Sequence, residues 1–295
     1  MDYTDVAVVV PARLASTRLP EKLLAPVHGR PVLAWTLASL RQLPLPRGRV
    51  FVATGDAALA DVARAEGVGV LETPGPLPSG SHRVAVASRD LPEAVRWVVN
   101  VQGDEPLMTV ETVVRVLQAR RDDTDLVTAG CRLTAAEWRT PSTVKALVDQ
   151  TGRALWFSRA PLPHRLAEAS DDVVAGFLER SPGVRRHLGI YAFRRARLAD
   201  WLALPGCAVS EAAGAAPHRW QRASEAVRAP AWKWTIPPPL SPARSFRSFE
   251  RLPMRWKSPS STPIRRSKIG PTISRTVSTR ARPEQARSHL PYTLP

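Results

Sequence analysis

Cysteine is scarce in this chain: only Cys131 and Cys207 occur, far apart and without a Cys-x-x-Cys pair. A disulfide framework or a thiolate zinc site is therefore not expected, and a reducing compartment, the cytoplasm, is. Long apolar runs are missing too. Nothing in the sequence approaches the roughly 18 consecutive apolar residues of a membrane span, so none is expected. The opening segment, MDYTDVAVVVPAR, carries acids where a signal peptide carries Lys or Arg, and it is read as part of the folded protein. A Gly-x-x-x-x-Gly-Lys phosphate loop is absent, which excludes a Walker-type nucleotide site. Aspartate is absent from residues 212–295.

That last absence locates the charge. The formal net charge is +16, a value that suggests a nucleic-acid partner until it is divided along the chain. Residues 212–295 hold 16 Lys and Arg against 3 Asp and Glu, whereas residues 1–211 hold 26 against 23. The tail also holds 13 of the 29 prolines, with Trp220, Trp232, Trp234 and Trp256 among its Ser, Arg and Pro. Such a composition buries too little apolar area to offset chain entropy, so 212–295 is expected to be a disordered basic tail. Phosphate contacts and tryptophan stacking could make it a nucleic-acid binder. The charge, however, lies away from every motif described below, and no nucleic-acid partner is expected.

Residues 1–211 have the texture of a globular domain. VAVVV at 6–10 ends at Pro11 and reads as a buried parallel strand. A helix is predicted over 31–43, with Pro31 in its first turn and Leu33, Leu37 and Leu40 on one face. Strands follow at 50–54, 68–72 and 97–102, with a helix from Asp56 to Glu66 stopped by Gly67 and another from about Thr109. Alternating strands and helices imply an α/β, Rossmann-like, mostly parallel sheet with helices on both faces. In such sheets the site lies at the carboxyl ends of the strands, so the loops after strand one and strand four should face one crevice. From about residue 125 the rhythm changes to LVTAGCRL, VKALVDQ, RALWFSR and HLGIYAF, read as a smaller, more antiparallel portion packed beside the first. The expected division is thus 1–124, 125–211 and the tail 212–295.

Two loops carry chemistry. Pro11-Ala12-Arg13-Leu14-Ala15-Ser16-Thr17-Arg18-Leu19-Pro20-Glu21-Lys22 follows the first strand directly and gathers cations, hydroxyls and backbone N–H groups suited to a triphosphate. It could equally be a solvated basic loop. Asn100-Val101-Gln102-Gly103-Asp104-Glu105-Pro106 ends the fourth strand, and an aspartate there can reach a magnesium ion held by a triphosphate. The alternative is a turn that caps the next helix.

The ordered set VVVPARLASTRLPEKLL, VFVATGD, PSGSHRVA, VVNVQGDEP, TPSTVKALVDQTGRALWFSRAPLP and RRHLGIYAF resembles the 3-deoxy-D-manno-octulosonate (KDO) cytidylyltransferase family over roughly residues 6–211. Pro-Ala-Arg with Ser-x-Arg-Leu-Pro is shared with cytidylyltransferases for other acidic sugars, such as sialic acids; the Phe-Ser-Arg-Ala-Pro-Leu-Pro and His-Leu-Gly-Ile-Tyr segments are more specific. The resemblance implies a fold of the nucleotide-diphospho-sugar transferase type and transfer of CMP from CTP to KDO, for lipopolysaccharide biosynthesis. It also implies Mg2+ as cofactor and a possible homodimer through the smaller portion. By the same resemblance Arg13, Ser16, Arg18 and Lys22 belong to the CTP phosphate loop, Pro11, Ala12 and Thr17 bind the nucleotide beside them, and Arg18, Lys22 and Asp104 are catalytic. Ser79, Gly80, Gln102 and Gly103 lie near the nucleotide, and Asp104 is the metal ligand. Arg159 and His187 hold the sugar acid, and Tyr191 is a neighbouring wall.

The chain departs from the pattern at three places. Glu21 stands where the family has glycine, and His82 where it has an acid; no role is assigned to His82. After Ser210-Glu211 the family's Leu-Glu-Gln-Leu-Arg helix and its Val-Asp-Thr-Pro segment, which carries a second metal carboxylate, are missing. Codons for Ala213–His218 read one base later permit Leu-Glu-Gln-Leu-Arg, so a reading-frame shift just after Glu211 is expected, against the alternative of a lineage-specific extension. Its consequence would be impaired activity and an exposed apolar face.

Overall fold

The computed structural model describes residues 2–15, 19–203 and 234–235. The chain divides into units Met1–Phe249 and Glu250–Pro295, and every described residue lies in the first. In order, the elements begin with β1 (Val6–Pro11), β2 (Pro26–Val27), β3 (Arg30–Pro31), α1 (Val32–Leu40), β4 (Val50–Thr54), α2 (Ala57–Ala65) and β5 (Gly69–Glu72). Next come α3 (Gly80–Ala87), β6 (Trp97–Val101), α4 (Val110–Gln118), β7 (Leu126–Cys131), α5 (Ala135–Arg139), β8 (Lys145–Val148) and β9 (Ala154–Ser158). The series closes with α6 (Asp171–Arg180), β10 (Val184–Arg194), α7 (Arg195–Ala203) and β11 (Trp234–Thr235).

The local chemistry of the termini accounts for most boundaries. Pro31 is the N-cap of α1 with ψ 145°, one residue outside the helix rather than inside it. Gly67 closes α2 at φ 67°, a left-handed value that glycine adopts without steric cost. Thr109 caps α4 through its side chain. The helix α3 has no apolar periodicity strong enough to announce it; its signal is Ser79, whose hydroxyl accepts from the His82 N–H.

The main sheet runs β11-β7-β10-β6-β1-β4-β5, with β8 on β10 and β9 on β8. Strands β6, β1, β4 and β5 are mutually parallel. β10 then pairs antiparallel with β6, β7 and β8. The smaller, more antiparallel portion thus lies beside the parallel strands as a continuation of the same sheet. The 11-residue β10 makes this possible, because it is long enough to pair with β8 over 184–186 and with β6 over 190–194. The interval His187–Gly189 spans the step between those two partners.

The central strand β1 is buried on both faces. Val6, Val8 and Val10 face a core built with Leu33, Leu37 and Leu40 of α1, Leu59 of α2 and Val113 and Val116 of α4. Ala7 and Val9 face a second core with Val84 and Ala85 of α3 and Leu198 of α7. Helices thus cover both faces, as the strand–helix alternation predicts. Among the described residues no helix is long and apolar enough to cross a membrane.

Of the basic tail only Trp234–Thr235 are described, as a short strand parallel to β7 at Leu126–Val127. The expectation for the rest of 212–295, and Ser16, Thr17 and Arg18 of the first loop, lie outside the described residues.

Candidate active site

Because β1 and β6 are adjacent and parallel, their carboxyl ends open on the same edge of the sheet, and the two chemistry-bearing loops meet there. Lys22 Nζ donates to Asp104 Oδ2 across 82 residues of sequence, in an ion pair that is only partly covered. The loops are held from behind. Ala12 N–H donates to Ala53 O at 2.9 Å and Leu14 N–H to Asp56 Oδ2 at 2.9 Å. On the other side Thr36 Oγ1 of α1 donates to Gly103 O at 2.9 Å, and Ser39 Oγ to Met108 O at 2.8 Å. Asp56, Thr36 and Ser39 were not singled out in the sequence, since each is an ordinary helix or cap residue until the fold brings it to a loop.

A second group stands on the α3 side of the crevice. A side chain at Gly80 would lie 3.2 Å from Pro11 Cγ and 3.4 Å from Gln102 Oε1, so Gly80, Pro11 and Gln102 converge. Gln102 Nε2 donates to Asn100 Oδ1 at 3.2 Å, and Asn100 is fully buried. Ser79 Oγ lies 2.7 Å from His82 Nδ1, so His82 is tied to the cap of α3. Arg83 is buried and bonded to Thr73 and Gly75; burial pulls its guanidinium below the ordinary value, against Asp56, and Arg13 adds to the pull. Pro11, Ala12 and Gly103 are buried, whereas Arg13 and Asp104 are exposed and Lys22 is half-buried. Glu105 is half-buried, and burial together with Asp104 raises its carboxyl above the usual range, opposed by Arg186 and Lys22.

The third group lies on the antiparallel strands. Phe157 meets the His187 ring edge-on at 5.0 Å, and Tyr191 lies 5.4 Å away, itself stacked on Phe193 at 5.8 Å. Although His187 as a residue is half-buried, this aromatic enclosure pushes its ring down to about 3, so it is neutral at neutral pH. Burial likewise raises the Tyr191 phenol. His187 Nε2 lies 2.9 Å from Thr128 Oγ1, whose single hydrogen goes to Ile190 O at 2.6 Å. Nε2–H is therefore the donor to Thr128, and Nδ1 is left as an acceptor. The backbone N–H of His187 donates to Val144 O at 2.8 Å, and the next residue, Lys145, donates to Arg159 O. Arg159 and His187 are thereby tied to one short stretch of chain. Gly189 joins this group to the crevice: a side chain there would lie 3.8 Å from Gln102 Cγ and 4.0 Å from Glu105 Oε1.

One residue in the first loop is held against its preference. Glu21 has φ 52°, in the left-handed region where glycine is at ease. Its carbonyl accepts from Leu24 N–H at 2.8 Å and Ala25 N–H at 3.2 Å, a turn that places Lys22 toward Asp104.

The arrangement puts the Lys22–Asp104 pair at a solvent-accessible end of the crevice and holds His187 as a neutral ring among aromatic side chains. Among the described residues no group of three or more His, Cys, Asp or Glu is placed to hold a metal ion. An exposed carboxylate such as Asp104 nevertheless suits magnesium, which keeps several waters and often arrives with substrate phosphates.

Comparison with known proteins agrees with this geometry. The chain matches the cytidylyltransferase family over residues 7–216. The 3-deoxy-manno-octulosonate cytidylyltransferase of Anaeromyxobacter sp. is 39% identical over 202 residues, which is 68% of this chain and 77% of that protein. The protein of the same name from Bdellovibrio bacteriovorus is 36% identical, over 69% of this chain and 80% of its own length. That from Rhodospirillum centenum is 41% identical, over 68% and 76%. A solved structure described as CMP:2-keto-3-deoxy-manno-octonic acid synthetase complexed with CTP superposes with a TM-score of 0.66 at 29% identity, covering 79% of this chain and 89% of that one. On these grounds the chain belongs to the cytidylyltransferase family, among the 3-deoxy-manno-octulosonate cytidylyltransferases.

Proposed function

We propose that this protein transfers CMP from CTP to 3-deoxy-manno-octulosonate, giving the CMP-linked sugar for lipopolysaccharide biosynthesis and pyrophosphate. The observation that carries the reading is the meeting of Lys22 with Asp104 at the shared carboxyl edge of β1 and β6, in a chain of this family. Arg13, Ser16, Thr17, Arg18 and Lys22 would bind the triphosphate, with Arg18 and Lys22 offsetting the charge that develops in transfer. Pro11, Ala12, Ser79, Gly80, Gln102 and Gly103 would form the nucleotide wall. Arg159 would take the sugar carboxylate, His187 Nδ1 would accept from a sugar hydroxyl, and Tyr191 would support the His187 ring. The anomeric hydroxyl then attacks the α-phosphorus in line; the new O–P bond forms as pyrophosphate leaves, and the hydroxyl proton passes to solvent. Asp104 would hold a magnesium ion arriving with the triphosphate, whose contribution there is to neutralise phosphate charge.

The test is pyrophosphate release from CTP by the full chain with KDO and magnesium, repeated with a sialic acid as acceptor. Release dependent on KDO supports the reading; release with the sialic acid alone would transfer it to the other acceptor class. A cytoplasmic location goes with these substrates.

Two finer points belong to the same reading. The family match ends at residue 216, close to the point where the family pattern stops at Ser210-Glu211. A reading-frame shift after Glu211 accounts for that; replacing 212–295 by an in-frame family C-terminus should then raise solubility and turnover, and no gain would favour a genuine extension. A homodimer would form through the smaller portion, on the side of β9 where Leu155 and Trp156 are exposed. Sedimentation as a monomer at micromolar concentration would count against it.

A further inference from the structure

Lys145 has no exposed surface, and it makes no ion pair among the described residues. Its ammonium group donates instead to three backbone carbonyls: Thr140 O at 2.9 Å, Thr143 O at 3.0 Å and Arg159 O at 2.6 Å. Arg159 Nη1 in turn donates to the two carbonyls between them, Pro141 O at 3.1 Å and Ser142 O at 3.2 Å. The loop Thr140–Thr143 therefore gives its outer carbonyls to Lys145 and its inner ones to Arg159. Three donors on one nitrogen require the ammonium form, since a neutral amine has two hydrogens. Burial, with the Arg159 charge beside it, pulls Lys145 down to about 8, yet the group stays cationic at neutral pH. A cation buried without a carboxylate is costly, and this one is matched entirely by carbonyl dipoles. Its immediate neighbour Val144 accepts from His187 N–H at 2.8 Å.

We propose that Lys145 is a positioning residue for the sugar-acid site: by gathering the Thr140, Thr143 and Arg159 carbonyls onto one ammonium group, it sets Arg159 at the spacing from His187 that an anionic sugar needs. Lys145 touches no substrate and acts through Arg159. The inference rests on the role of Arg159 proposed above. It also explains why a lysine is fully buried in β8, a strand whose other residues, Ala146, Leu147 and Val148, are apolar.

The experiment compares wild type, Lys145→Met, Arg159→Ala and the double variant, each checked for cooperative thermal unfolding. Lys145→Met should raise the KM for KDO by about tenfold, the scale of one charge-assisted hydrogen bond, with the KM for CTP within about twofold. On the Arg159→Ala background the same substitution should add nothing, because the two act as a unit. An equal rise in both KM values, or additive effects with Arg159→Ala, would overturn the proposal. If Lys145→Met does not fold, Lys145→Gln, which keeps two donors, replaces it and should give an intermediate KM with the same split. If the wild type shows no turnover, the functional reading fails on its own, and amide hydrogen exchange decides the inference. Protection should fall over 140–144 and 158–161 in the variant and stay unchanged in β1 and β6; unchanged protection in those two segments overturns it.

Discussion

The two parts of the sheet handle positive charge in opposite ways. On the parallel side Lys22 meets a side-chain carboxylate, Asp104, at the open mouth of the crevice, where both groups keep more than a third of their surface. On the antiparallel side Lys145 is sealed from solvent and bound by backbone carbonyls, and the Arg159 side chain, from just after β9, bonds the same 140–143 loop. An exposed ion pair contributes little to stability, on the order of 0–1 kcal/mol, so an incoming triphosphate can part it at small cost. A buried cation on three carbonyls cannot be rearranged without leaving polar groups unpaired. The crevice thus has one exchangeable end, suited to substrates that arrive and leave, and one rigid end, suited to holding an arginine in place.

The sharpest way to break this comparison is at Asp104. Asp104→Ala should reduce turnover by roughly 100-fold or more, the scale of losing a principal electrostatic contact in the transition state. Its thermal midpoint should barely move, because the pair with Lys22 is exposed. A large loss of stability would place Asp104 in the rigid class with Lys145.

Glu21 tests the same exchangeable end from the backbone. Its φ of 52° costs a non-glycine residue about 1 kcal/mol or more, and its carboxylate sits beside a loop assigned to triphosphate. Glu21→Gly should lower the KM for CTP several-fold and raise stability, measured by steady-state kinetics and urea unfolding. A higher KM would mean that the carboxylate has a role the loop needs.

The third test concerns the rigid end. His187 has a folded-state value of about 3, below its usual 6.5, so between those values the unfolded chain binds the proton more readily. Its contribution is complete above pH 6.5 and is lost as the pH falls toward 3. The difference in stability between wild type and His187→Gln should therefore shrink on acidification across that window, by at most ~1.4 kcal/mol per pH unit. A difference independent of pH would mean that the ring is better solvated than its aromatic enclosure implies.

Much of the crevice was legible in the chain itself. The runs at 6–10, 50–54 and 97–102 are short, apolar and flanked by turn residues, and the loops after the first and last of them carry the charges that meet in space. His187 and Arg159 stood out by resemblance, and the fold ties both to residues 144–145. Less legible were α3, whose amphipathic signal is weak and whose start rests on the Ser79 cap, and the merging of the antiparallel strands with the parallel sheet through β10. Lys145 left one trace, a lone lysine in an otherwise apolar strand, but nothing local said which carbonyls it would meet.

What the sequence by itself determined was which segments are strands and which loops hold the cations and Asp104, because apolar period, turn residues and loop composition are local properties. What only the tertiary structure decided was which groups face one another: Lys22 with Asp104, Lys145 with the 140–143 loop and Arg159, and the left-handed turn at Glu21. Those depend on strand order and loop closure. A charge on a flexible loop has no partner until the sheet places two strand ends side by side, and a buried cation has no cause until its carbonyls are gathered around it.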